Sequence, residues 1–322
     1  MSDGAGRWLA ACACLAERAR PMSRPNPAVG AIVVKNGIVL GRGWTQPGGR
    51  PHAEAMALEQ AGGEARGATL YVTLEPCAHM SERGPACADL AVTSGIARAV
   101  IGVEDPDPRT AGGGVERLKA AGVSVALADD PACRDSLAGY LARRREGRPF
   151  VTLKLAITAD GFVARPDGSS KWITGPIARA HAHRERARND AILVGGRTLR
   201  IDQPRLDVRL PGLEDRSPQR LVLTRHDQPR DWQALAGPEA IRSLDAQYLL
   251  VEGGAQVADA FLTAGLVDRL LLYRAPVEFG EGMAAFRHPG ATGAPDGWQL
   301  CDRRQLGSDT LEVYTRGEPE GV

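Results

Sequence analysis

The sequence predicts an α/β protein built as two successive units. Three observations carry this reading. The chain has 322 residues, more than one average domain needs and enough for two. Strand-like and helix-like segments alternate through both halves, the signature of α/β architecture. The alternation breaks at "LARRREGRP", residues 141–149, which reads as a helix end followed by a charged linker. Hydrophobic residues make up 43% and charged residues 25%, so each half can bury a core.

The elements follow in order. Residues 6–20 read as an amphipathic helix, with Trp8, Leu9, Cys12, Leu15 and Ala19 on one face. "VGAIVV" at 29–34 is a strand, and Asn36-Gly37 is a hairpin turn leading into "IVLGRGW". "AEAMALEQAG" at 53–62 is a helix ended by Gly62-Gly63. "ATLYVTL" at 68–74 is a buried strand, 86–95 a helix, 97–103 a strand, 114–122 a helix and 123–127 a strand. This predicts an α/β sandwich around a mostly parallel sheet. The second unit starts at Phe150 with the strand "FVTLKLAIT". A helix at 176–188, the strands "DAILVGG", "QRLVLT" and "YLLVEGG", a helix at 255–264 and the strand "VDRLLLYRAP" follow.

Composition excludes several classes. Forty basic residues stand against 39 acidic ones, a net charge of +1, so no broad basic surface for nucleic acid is expected. No apolar run reaches membrane-spanning length. "LAAC" at 9–12 resembles a lipoprotein cleavage box, but only Trp8 to Ala11 precede Cys12 and Asp3 lies upstream, which does not make a signal segment. The six cysteines form no repeated framework, so reduced thiols and a cytoplasmic location are expected. Cys12 and Cys14 read as a core and a surface thiol, and Cys133 and Cys301 as packing residues.

The chemistry concentrates in two short stretches. His52 and Glu54 lie in "PHAEAM" at a helix start, and "LEPCAHMSERGPAC" at 74–87 holds Cys77 and Cys87. One His and two Cys make a three-ligand zinc site with a position left for water. Zinc lowers the pKa of such a water to about 7, and Glu54 is suited to move its proton to a departing amine. The order matches the zinc-deaminase pattern His-x-Glu with Pro-Cys downstream. Nine residues separate the cysteines here instead of two, so "MSERGPA" becomes a candidate pocket wall, and His79 a candidate substrate contact rather than a fourth ligand. Taken singly, each part has a plainer reading: His-Ala-Glu as a surface helix start, the cysteines as core thiols or a closed structural zinc site.

The whole chain then resembles the bifunctional riboflavin-biosynthesis deaminase–reductases. The resemblance rests on "NPAVGAIVV", "PHAEAMAL", "GATLYVTLEPCAH", "GPAC", "SGIARAVIGVEDPDP" and "GGGVERLKAAGVSV" in the first half. In the second it rests on "LKLAITADG", "SKWIT", "DAILVGGRTLRIDQPRLDVR" and "LLVEGGAQVADAFL". It implies a cytidine-deaminase-like α/β/α sandwich over residues 1–146 and a dihydrofolate-reductase-like α/β domain over 147–322. The first would hydrolyse an amino group of 2,5-diamino-6-(5-phosphoribosylamino)pyrimidin-4(3H)-one, and the second would reduce the ribosyl chain to ribityl with NADPH. By matching motifs, His52, Cys77 and Cys87 would hold zinc, Glu54 would carry the proton and Asn26 would contact the pyrimidine. Ala156, Trp172, Thr198, Asp202 and the run Gly254, Ala255, Gln256, Val257 would contact the cofactor. Ser170, Arg186, Leu206, Arg209 and Glu252 would contact substrate. Members of this family commonly self-associate, which makes a homo-oligomer the expectation. Thr45 stands where many members have His, Asp107 and Arg109 where Asn and Lys are frequent, and the stretch between Leu223 and Tyr248 looks short. The rival reading is a base or tRNA deaminase with an inactive or regulatory C-terminal domain.

The second half also has its own physical reading. "EGGAQVADAF" runs strand, Gly253-Gly254, helix, and "VGGRT" at 194–198 makes a second glycine turn, both suited to a pyrophosphate at a helix start. Each glycine pair alone is an ordinary turn. The GxGxxG fingerprint is absent, so an ordinary Rossmann domain is not expected. Arg186 and Arg209 offer forks for a phosphate monoester, with exposed charge as the plainer reading. Trp172 alone reads equally as core, and His181 and His183 receive no role.

Overall fold

The computed structural model describes residues 3–79, 82–225, 230–288, 290 and 293–316. The chain divides into two compact units, Met1–Gly147 and Arg148–Val322. Among the described residues no helix is long and apolar enough to cross a membrane.

The first unit runs α1 (Asp3–Ala16), β1 (Gly30–Lys35), β2 (Ile38–Trp44), α2 (Ala53–Ala61), β3 (Thr69–Leu74), α3 (Cys87–Thr93), β4 (Arg98–Val103), α4 (Gly113–Ala120), β5 (Ser124–Leu127), α5 (Pro131–Ser136) and α6 (Ala138–Glu146). α1 ends earlier than its periodicity suggests, and Ala19 is buried in the turns that follow. The sheet order is β2-β1-β3-β4-β5. The expectation of a mostly parallel sheet is corrected here. β1 pairs antiparallel with both β2 and β3, and only β3–β4 and β4–β5 are parallel. The turn explains this: Asn36 and Gly37 both have positive φ, which reverses the chain tightly. α2 then crosses over β1, so β3 runs with β2 and against β1.

Period-2 alternation places helices on both faces. Ile32 and Val34 cluster with Cys12 of α1, while Ala31 and Val33 pair in register with Gly43 and Gly41, against which α2 lies. A Cβ on Gly43 would stand 2.2 Å from the Ala53 carbonyl and 2.5 Å from Met56 Cβ. The missing side chain lets the first turn of α2, which bears Glu54, lie directly on the sheet. Gly43→Ala is expected to destabilise the protein by about 1–3 kcal/mol through overpacking, read from denaturant midpoints; an unchanged midpoint would show that α2 can lift at no cost.

The second unit runs β6 (Phe150–Ile157), β7 (Phe162–Ala164), α7 (Pro176–Arg186), β8 (Ala191–Gly195), α8 (Gly196–Asp202), β9 (Gln219–Leu223), β10 (Gln233–Leu235), β11 (Tyr248–Val251), α9 (Ala255–Thr263), β12 (Arg269–Arg274), β13 (Met283–Ala284), β14 (Trp298–Leu306) and β15 (Asp309–Arg316). Its main sheet has the order β10-β9-β8-β11-β6-β12-β15-β14. The strands from β10 to β12 are parallel, and β15 and β14 add antiparallel at one end. The β14–β15 hairpin is absent from the sequence reading. Its outer strand is mostly exposed and carries Asp302, Arg303 and Arg304, charges typical of a sheet edge that hide the strand pattern. Cys301 lies on that strand and is exposed, which corrects its reading as a packing residue; Cys12 and Cys133 are buried and Cys14 exposed.

Candidate functional site

In the first unit, α2, the end of β3 and the start of α3 bring His52, Cys77 and Cys87 together. Their ligand atoms all lie within 4.8 Å of one another. His52 caps α2 and Cys87 opens α3. His52 Nδ1 stands 3.3 Å from Cys87 Sγ and 3.6 Å from Cys77 Sγ. Asn26 Nδ2 lies 3.0 Å from His52 Nε2 and 3.0 Å from the Gly49 carbonyl, so the Asn26 amide fixes the plane of the ring from behind.

The donor set fits zinc. Tetrahedral zinc with these ligand types spaces its donor atoms roughly 3.6–3.8 Å apart, close to the separations found. The Cys87 N–H donates to Cys77 Sγ at 3.3 Å. The hydrogen bond between the two thiols, in which Cys87 donates, is the largest pull downward; with His52 adding to it and burial opposing, the Cys77 thiol is held down to about 3. The same bond, together with burial, pushes the Cys87 thiol up. Two buried sulfurs this close share one negative charge unless a cation lets both ionise. Among the described residues no fourth His, Cys, Asp or Glu joins the group.

Glu54 sits in the first turn of α2 and is buried. Burial raises its carboxyl to about 7, against the pull of His52. His52, Glu54, Cys77, Asn26 and His79 line one cavity of about 230 Å³. His79 stands apart from the ligand group, its Nδ1 3.3 Å from Thr110 Oγ1. Of the proposed wall "MSERGPA", Arg83 lines the cavity, while Met80 and Ser81 lie outside the described residues. Thr45 is buried and accepts the Val29 N–H at 3.0 Å. The sequence reading missed Tyr140 and Arg144 on α6, which also line the cavity. Arg144, which the sequence reading places in the helix end and charged linker, pairs with Asp107 at 2.9 Å, beside Arg109 at 2.6 Å. Nothing in the linear pattern links residues 107 and 144.

In the second unit a cleft of about 920 Å³ opens at the C-terminal ends of β6, β8, β9 and β11, the usual ligand position in such sheets. Every second-half site residue predicted from the sequence lines it. Ala156 comes from β6, Ser170 and Trp172 from the loop before α7, and Arg186 from α7. Thr198 and Asp202 come from α8, Leu206 and Arg209 from the segment after it, Glu252 and Gly254 from the β11–α9 turn, and Ala255, Gln256 and Val257 from the first turn of α9. Gly253 makes room there, since a Cβ would stand 2.5 Å from Val257. Trp172 is 71% exposed, which sets aside its reading as core; the Arg179 guanidinium lies 4.8 Å from its ring.

At the cleft floor Arg186 forms a fork on Glu252, at 2.7 and 2.9 Å, and Lys154 Nζ lies 3.9 Å from the same carboxylate. Burial works to raise the Glu252 carboxyl, and the charges of Lys154 and Arg186 outweigh it and hold it at about 2. Arg186 is thus engaged within the cleft, whereas Arg209 is exposed. Lys154 and His183 are lining residues the sequence reading left out. The lining carries two lysines and seven arginines against Asp202 and Glu252, an excess of cations that favours a polyanionic ligand.

Comparison with known proteins bears on both halves. Residues 5–103 match the family model of the cytidine and deoxycytidylate deaminase zinc-binding region, and residues 149–311 that of the RibD C-terminal domain. Riboflavin biosynthesis protein RibD of Haemophilus influenzae is 36% identical, with 96% of this chain and 95% of that protein aligned. RibD of Corynebacterium ammoniagenes is 39% identical over 90% and 91% of the two chains. Among solved structures, the diaminohydroxyphosphoribosylaminopyrimidine deaminase/5-amino-6-(5-phosphoribosylamino)uracil reductase of Thermotoga maritima superposes with a TM-score of 0.87 at 31% identity, over 97% and 98% of the chains. Acinetobacter baumannii RibD gives 0.84 at 31% identity, over 97% and 99%. The first unit therefore has the cytidine-deaminase-like fold, and the second the RibD C-terminal, dihydrofolate-reductase-like fold.

Proposed function

The chain belongs to the RibD family of bifunctional riboflavin-biosynthesis deaminase–reductases, and we propose that its two units act in turn on one phosphorylated pyrimidine. The substrate is 2,5-diamino-6-(5-phosphoribosylamino)pyrimidin-4(3H)-one. The first unit exchanges an amino group for oxygen by hydrolysis, and the second reduces the ribosyl chain to ribityl. The observation that carries the reading is the three-donor group of His52, Cys77 and Cys87 with Glu54 buried in the same cavity. The relatives cover both halves of the chain, which supports this reading over a base or tRNA deaminase with an inactive or regulatory C-terminal domain.

His52, Cys77 and Cys87 would hold zinc, which supplies an acidified water at neutral pH. Glu54 takes a proton on its carboxylate and delivers it to the departing amino nitrogen, so that water and substrate yield the oxo product and ammonia. Its burial keeps bulk water from competing for that proton. Asn26 and His79 face the pyrimidine from the cavity walls. In the second unit NADPH would supply the hydride. Gly254 and the first residues of α9, Ala255 to Val257, would hold its phosphates, and the cationic lining favours its charge. Ala156, Trp172, Thr198 and Asp202 complete the cofactor side. Ser170, Leu206, Arg209 and the Arg186–Glu252 pair orient the phosphorylated sugar. Reduced thiols suit a cytoplasmic location.

Metal removal separates the two activities. Zinc stripped by a chelator is expected to abolish deamination and to leave NADPH-dependent reduction of the pre-deaminated compound within about threefold, the zinc ligands belonging to catalysis in one unit only. Deamination that persists in metal-free protein would overturn the proposal.

A further inference from the structure

We propose that Glu75 is a positioning residue of the deamination site, fixing the cavity wall formed by residues 105–115 to the segment that carries Cys77. The proposal takes the reaction from the functional reading above, while its geometry stands apart from it. Glu75 follows β3 directly and is 2% exposed. Its Oε2 accepts the backbone N–H groups of Asp105 at 3.2 Å and Gly112 at 3.0 Å. Its Oε1 accepts those of Gly114 at 2.9 Å and Val115 at 3.1 Å. A carboxylate has about four lone-pair sites, so these four bonds occupy it and leave nothing to offer a substrate. Its role is therefore positioning rather than catalysis.

Three of the donors cap α4. The first N–H groups of a helix lack partners within it, and α4 has no side-chain cap of its own at Gly112. Glu75 supplies that cap from about forty residues upstream in sequence, with its charge at the favourable end of the helix. The fit is close: a Cβ on Gly114 would stand 2.0 Å from the Pro76 carbonyl. The wall held in this way carries cavity-lining side chains. Asp105 accepts from Tyr140 Oη at 2.8 Å, Asp107 holds Arg109 and Arg144, and Thr110 meets His79 at 3.3 Å. Asp105, Asp107, Arg109 and Thr110 line the same cavity as Glu54. Glu75 thus ties the wall to the ligand segment, beside the β3–β4 pairing that ends at Leu74 and Val103 and the His79–Thr110 contact.

The test uses the full chain and two readouts. In the unsubstituted protein, the amides of Gly112, Gly114 and Val115 are expected to be protected from hydrogen exchange, unlike the open first turn of an ordinary helix. Glu75→Gln replaces one acceptor by a donor. It is expected to raise exchange at those amides and KM for deamination by about tenfold or more, with kcat changed less than about threefold. Zinc content and reduction of the pre-deaminated compound should match the unsubstituted protein, and Glu75→Asp should fall between. Zinc loss in parallel with kcat would show that Glu75 serves only the stability of the metal segment and would overturn the proposal. So would unchanged KM and exchange. Where Glu75→Gln fails to accumulate, rapid exchange at the three amides of the unsubstituted protein overturns it and protection supports it. A protein that deaminates nothing would sink the functional reading, and the exchange result would still decide on Glu75.

Discussion

Glu54→Gln is expected to lower kcat for deamination by about 10²–10⁴-fold, the range that a positioned proton carrier contributes. The substitution keeps the size and polarity of a side chain buried in the first turn of α2, so the fold should persist. It removes only the ability to accept and return a proton. Zinc content should match the unsubstituted protein, because the ligand group consists of His52, Cys77 and Cys87 without Glu54. Reduction of the pre-deaminated compound should be unaffected, since its cleft belongs to the other unit. Deamination within tenfold of the original rate would mean that the proton travels by another route.

The second large effect belongs to the cleft floor. Glu252→Gln leaves Lys154 and Arg186 facing each other without their shared carboxylate. Breaking a buried ion pair from one side typically costs about 3–5 kcal/mol. The Arg186 and Glu252 side chains are only 13% and 11% exposed, so solvent offers little relief. The unfolding transition of the second unit should move accordingly, and reduction should fail. The pH dependence adds a sign. The folded Glu252 carboxyl is held at about 2, below its ordinary 4.5, so its contribution is fully present above the ordinary value. It is lost as pH falls from 4.5 towards 2, because the unfolded chain takes up the proton first. Denaturant titrations across that interval should show this loss in the original protein and a smaller one in Glu252→Gln. Equal pH slopes would contradict the assignment.

What was legible in the sequence was what neighbours in sequence decide. Asn36-Gly37 announces its hairpin because few residue pairs accept two positive φ angles. His52, Glu54 and Cys77 stand out because local spacing fixes them at element ends, where side chains converge. The Gly253-Gly254 turn shows itself for the same reason. What stayed hidden depends on partners far apart in sequence. The antiparallel placement of β1 follows from the crossover by α2, not from the composition of β1. Tyr140 and Arg144 reach the deamination cavity through Asp105 and Asp107, yet in sequence Arg144 belongs to a charged run and Tyr140 only precedes it. The fork of Arg186 pairs with a carboxylate 66 residues later, a pairing no periodicity reveals.

The most direct test of the two-unit account is a product mass spectrum. The purified zinc-containing protein receives the diaminopyrimidinone ribosylamino phosphate, with and without NADPH. The account predicts replacement of one amino group by oxygen without cofactor, and a gain of two hydrogens once NADPH is added. An unaltered substrate in both samples, from protein shown to hold zinc, would contradict it.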